Sequence, residues 1–109
     1  MKFVGRLKKS AIEHGEFVRL KYPPFDVLVS MVDGEPCAIE DACNHAGASL
    51  AEGWIEGKCV ACPMHGYVFS LVDGKLLRPR GLCADQRTFR AVIEGDEVLV
   101  YDTFALAIV

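Results

Sequence analysis

Short apolar runs separated by Gly, Pro and Asp recur along the whole chain, a pattern of strands rather than helices. They predict strands over Phe3–Leu7, Glu16–Lys21, Asp26–Met31, Glu35–Ile39, Lys58–Ala61, Val68–Leu71, Lys75–Leu77, Thr88–Ile93 and Val98–Tyr101. Asp33-Gly34, Asp73-Gly74 and Glu94-Gly95-Asp96 supply tight-turn chemistry between neighbouring runs and predict three hairpins. No segment keeps a helical apolar stripe for three turns; Lys8–His14 and Ala48–Glu52 each read as a single helical turn. Arg78–Arg87 has the weakest pattern and reads as a surface loop. Phe104–Val109 is almost wholly apolar and reads as a final strand or packed tail, with an exposed docking patch as the sharper alternative.

The fold class that follows is all-β, with antiparallel sheets. A length of 109 residues suits one domain, residues 1–109. With 51% hydrophobic residues the chain has enough apolar surface for a core. No apolar run approaches the roughly 20 residues of a membrane span. The N-terminus lacks the apolar stretch of a secretory signal, so a cytoplasmic location is expected. A net charge of −3 argues against nucleic acid as a partner.

The cysteines narrow the chemistry. There are five, Cys37, Cys43, Cys59, Cys62 and Cys83, an odd number that speaks against a disulfide scaffold. Two of the three histidines stand beside two of these cysteines, in Cys43-Asn44-His45 and Cys62-Pro63-Met64-His65. Each stretch offers one thiolate and one imidazole, a donor set that suits zinc or an iron–sulfur centre. Structural zinc sites more often draw a Cys pair from one knuckle, whereas here each stretch gives one of each donor. Two facing loops of this kind can place both thiolates on one iron and both imidazoles on the other, as in a Rieske [2Fe–2S] centre. Cys37, Cys59 and Cys83 fit no ligand position and read as buried apolar residues. His14 reads as a surface histidine, and Trp54 as a core residue.

Cys43-x-His45, a gap of 16 residues, and Cys62-x-x-His65 closely resemble the Rieske signature. Gly47, Pro63 and Gly66 stand where that family has them, as do Val68-Phe69-Ser70 and Asp73-Gly74. The resemblance implies a Rieske-like fold with a small cluster-binding lobe, about residues 41–73, carrying both loops at its tip. It implies a [2Fe–2S] cofactor, with Cys43 and Cys62 on the inner iron and His45 and His65 on the outer, redox-active iron. It also implies a low potential. Ala48 and Met64 occupy the places of a disulfide found in high-potential members, and of the two positions where those members carry hydroxyls, Tyr67 keeps one and Phe69 has none.

The resemblance further implies a ferredoxin that passes single electrons from an NAD(P)H-dependent flavoprotein reductase to a terminal oxygenase, one that hydroxylates aromatic rings. The chain is not expected to be an enzyme. A mononuclear iron site needs two further histidines and a carboxylate, and only His14 is left. Two alternatives remain at this level: a Rieske-like small subunit of a nitrite reductase or similar complex, and a zinc-stabilised binding module without redox function.

Overall fold

The computed structural model describes residues 2–43, 47–78 and 83–103. Among these the chain forms ten strands: β1 (Lys2–Lys8), β2 (Phe17–Leu20), β3 (Val27–Val32), β4 (Glu35–Glu40), β5 (Trp54–Glu56), β6 (Cys59–Ala61), β7 (Val68–Ser70), β8 (Leu76–Arg78), β9 (Thr88–Glu94) and β10 (Glu97–Asp102). The only helical elements among them are the 3-10 turns Lys9–Ala11 and Leu50–Glu52, inside the two stretches expected to turn. β5 is an addition to the expected set, and the turn at Gly57, with φ of +63°, reverses the chain into β6.

The strands make two antiparallel sheets, one in the order β1-β10-β9-β4-β3-β2 and one in the order β5-β6-β7-β8. The larger sheet curls. A Cβ placed on Gly5 of β1 would lie 3.5 Å from Leu20 Cδ1 of β2, so the two edge strands meet through side chains as in a partly open barrel. The inside holds Leu7, Val27, Val29, Ala38, Phe89, Val98 and Val100. A second core lies between this barrel and the smaller sheet, built from Leu28, Val32, Cys37 and Ile39 on one side and Leu50, Val60, Phe69 and Leu71 on the other. β3 and β4 are therefore buried on both faces, which is why Val27–Val32 reads as a continuous apolar run instead of alternating.

The β3–β4 hairpin turns at Asp33 and Gly34, whose φ values of 51° and 79° are those a two-residue turn of this twist demands. The segment before β9 is more than a surface loop. Gln86 is 3% exposed, and its backbone N–H donates to Gly74 O while its carboxamide donates to the carbonyls of Glu40 and Ala42. The apolar tail, residues 104–109, lies outside the described residues, as do residues 79–82.

Candidate metal centre

Two loops of the same length leave the second core. The first, residues 43–48, is closed at its base by the isolated bridge Ala42↔Ser49. The second, residues 62–67, joins β6 to β7 and is closed by the pair Ala61↔Val68. Their backbones are held alike. Cys43 N donates to Ala48 O at 2.8 Å, and Cys62 N to Tyr67 O at 2.8 Å. Gly47 N donates to Cys43 O at 2.6 Å, and Gly66 N to Cys62 O at 3.0 Å. In each loop the cysteine stands first and the glycine fifth. Gly47 and Gly66 have φ of 74° and 71°, which permits the reversal that brings each N–H back to its cysteine.

The donors differ in exposure. Cys43 is 1% exposed and Cys62 is not exposed at all; both lie in the second core with Leu50, Val60, Phe69 and Leu71. His65 is exposed, in the turn of the second loop beside Met64, itself 59% exposed. His45, with Asn44 and Ala46, lies outside the described residues. The donor set fits a two-iron centre bound from one side by buried thiolates and from the other by an imidazole open to solvent.

The remaining sequence candidates fall elsewhere. Cys37 is buried in the second core as expected, and burial pushes its thiol pKa up, with the charge of Glu35 adding to the effect. Cys59 and Cys83 are only half-buried, contrary to expectation. Cys59 lies on the outer face of the smaller sheet, because the inward position in β6 belongs to Val60. Cys83 packs against the edge of the second core, where burial raises its thiol pKa and the charges of Asp85 and Cys62 add to the shift. No disulfide joins any of the five cysteines. His14 is exposed, as expected.

Trp54 is not a core residue. It is 52% exposed, because β5 turns Ile55 inward and leaves Trp54 and Glu56 on the outer face. There it lines an open groove of about 490 Å³ with Glu56, Cys59, Ala61, Gly66, Val68 and Arg78. Gly66, one of the groove's lining residues, follows His65 in the chain.

The model of the Rieske [2Fe-2S] domain family matches residues 3–102 of this chain. The chain belongs to the Rieske [2Fe–2S] family. Its cofactor is thus a Rieske-type [2Fe–2S] cluster, and the zinc alternative gives way. The Rieske chain is 40% identical over 86 residues to the biphenyl 2,3-dioxygenase ferredoxin component of Rhodococcus jostii (strain RHA1), with 79% of each chain covered. It is 32% identical over 101 residues to the biphenyl dioxygenase ferredoxin subunit of Pseudomonas sp. (strain KKS102), with 92% of each covered. A solved complex of reduced oxygenase and oxidized ferredoxin in carbazole 1,9a-dioxygenase contains a chain that superposes with a TM-score of 0.78 at 28% identity, covering 89% of this chain and 93% of that one. Like these ferredoxins, this Rieske protein is an electron-transfer component and not a catalytic chain.

Proposed function

We propose that Cys43 and Cys62 bind the inner iron of the cluster and His45 and His65 the outer one. In the same reading, residues 1–109 form one domain whose cluster-binding lobe spans about residues 41–73. The protein takes single electrons from an NAD(P)H-dependent flavoprotein reductase and delivers them to a terminal oxygenase acting on aromatic rings, in the cytoplasm. The observation that carries this reading is the contrast in burial across the two loops: thiols at 0–1% exposure beneath an exposed imidazole. The named partners are supported by the dioxygenase ferredoxins to which the chain is similar. No helix among the described residues is long and apolar enough to cross a membrane.

The cluster, when bound, supplies a one-electron couple. The chain surrounds its thiolate side with Phe69, Leu50 and Leu71, apolar side chains that keep water away and would disfavour added negative charge. The His65 side faces outward, where a partner can approach. Met64 beside it is apolar and adaptable, a residue type suited to a brief contact.

Electron paramagnetic resonance of the dithionite-reduced protein, combined with single substitutions, tests the ligand set. Cys43→Ser, Cys62→Ser, His45→Ala and His65→Ala each abolish the Rieske signal, while Cys37→Ser, Cys59→Ser and Cys83→Ser retain it. A signal that survives Cys43→Ser and disappears in Cys37→Ser overturns the assignment. For the carrier role, the purified protein restores NADH-dependent dihydroxylation of biphenyl by a biphenyl dioxygenase reductase and oxygenase lacking their own ferredoxin. No restoration with a fully loaded cluster overturns that choice of partners.

A further inference from the structure

The two ligand loops have the same backbone frame but unequal support. The second is the tip of a regular ladder: behind Ala61↔Val68 lie Val60↔Phe69 and Cys59↔Ser70. The first has the isolated bridge Ala42↔Ser49, and among the described residues no ladder of strand pairs continues behind it. Behind that bridge stands the Asp41 side chain, while Gln86 braces the entering strand alone through the carbonyls of Glu40 and Ala42. Asp41 is 3% exposed although its carboxylate is a charged group. Its Oδ1 accepts from Ala51 N at 2.8 Å, and its Oδ2 accepts from Ser49 Oγ at 2.5 Å. Arg19 Nε lies 3.7 Å from the same Oδ2, and Arg19 also donates to Ser49 Oγ at 3.3 Å. The Asp41 backbone is engaged as well: its N–H donates to Asp26 O, and its carbonyl accepts from Leu50 N. Chain entering the loop is thus tied to chain leaving it at Ser49, Leu50 and Ala51, all through Asp41.

We infer that Asp41 is a positioning residue of the cluster site, its buried carboxylate latching the chain that enters at Cys43 to the chain that leaves at Ser49 and so holding Cys43 in place, as strand pairing does for Cys62. This rests on the ligand reading above. A residue so placed does not touch the cluster; it acts through the loop. Its carboxylate faces Arg19 and accepts from two hydrogen-bond donors. An asparagine has the same shape, can still accept from Ala51 N, and can donate to Ser49 Oγ; alanine can do neither.

The test follows iron release to a chelator and the paramagnetic resonance spectrum of the reduced protein in wild type, Asp41→Ala, Asp41→Asn and Ser49→Ala. Asp41→Ala releases iron at least tenfold faster than wild type and shifts or broadens the spectrum, which reports imidazole orientation. Asp41→Asn restores release to within about threefold with a spectrum close to wild type. Ser49→Ala, which removes one of the two hydrogen bonds and leaves the core untouched, releases iron at least threefold faster and keeps the experiment decisive should Asp41→Ala fail to fold. Wild-type release and spectrum in Asp41→Ala, an Asn variant no better than the Ala variant, or unchanged release in Ser49→Ala overturns the proposal and leaves the ligand set standing. A wild-type protein without a Rieske spectrum overturns the ligand set, and the latch with it.

Discussion

Phe69 shows how one side chain bears on the electron-carrying property. It is fully buried in the cluster of residues that contains Cys43 and Cys62, and its ring has no hydrogen to donate to sulfur. Donors to the sulfurs favour the reduced, more negative state, so an apolar ring at this position favours a potential toward the low end of the Rieske range, on the order of −150 mV. Protein-film voltammetry measures it, and a midpoint well above zero contradicts the argument. Phe69→Tyr raises the potential if the new hydroxyl reaches a cysteine sulfur. At the same scale, Met64→Glu leaves the visible spectrum and fold unchanged, because the side chain is already in solvent, and slows electron transfer to a partner in stopped-flow. The four candidate ligands were legible from residue type and spacing alone. The role of Asp41 was not, because nothing in a sequence marks which aspartate will be buried; most are not.

Hairpins were the most legible elements. Asp33-Gly34 demands positive φ at both positions and sets the register Val32↔Glu35 that the structure has. β5 was missed because three residues carry almost no periodicity and its largest side chain, Trp54, points outward. The equivalence of the two ligand loops was hidden for a different reason: it is made by backbone hydrogen bonds, which any residue can form, and the histidines stand at unequal distances from their cysteines. Gly53 stands just before β5, where the chain passes close to β6. A Cβ there would lie 1.9 Å from Ala61 O, the residue that precedes Cys62. Gly53→Ala thus pushes β5 from β6 and destabilises the protein by about 1–3 kcal/mol, a typical cost of overpacking. Urea unfolding followed by circular dichroism checks it, and an unchanged midpoint contradicts the close approach.

For the whole molecule, the barrel is pinned by a buried polar cluster far along the chain from the ligand loops. Asp102 is 2% exposed, pairs with Arg87 and accepts from Tyr22 Oη at 2.5 Å. That hydrogen bond, with burial second, raises the Tyr22 hydroxyl above its ordinary 10.0. The folded state therefore favours neutral tyrosine. The resulting stability is complete below pH 10 and is lost as pH rises through the raised folded value. Tyr22→Phe lowers stability by roughly 1.5–3 kcal/mol at neutral pH, as for a hydrogen bond to a charged group, and flattens the decline above pH 10. Thermal unfolding of both proteins from pH 7 to 11 shows it; parallel curves contradict it. The contrast between buried thiols and an exposed imidazole has a consequence for traffic. If electrons pass only at the His65 end, the protein has one doorway, and loading and unloading must alternate there. Reductase and oxygenase then exclude each other, each carrier must dissociate between visits, and an excess of either partner acts as a competitive inhibitor of the other.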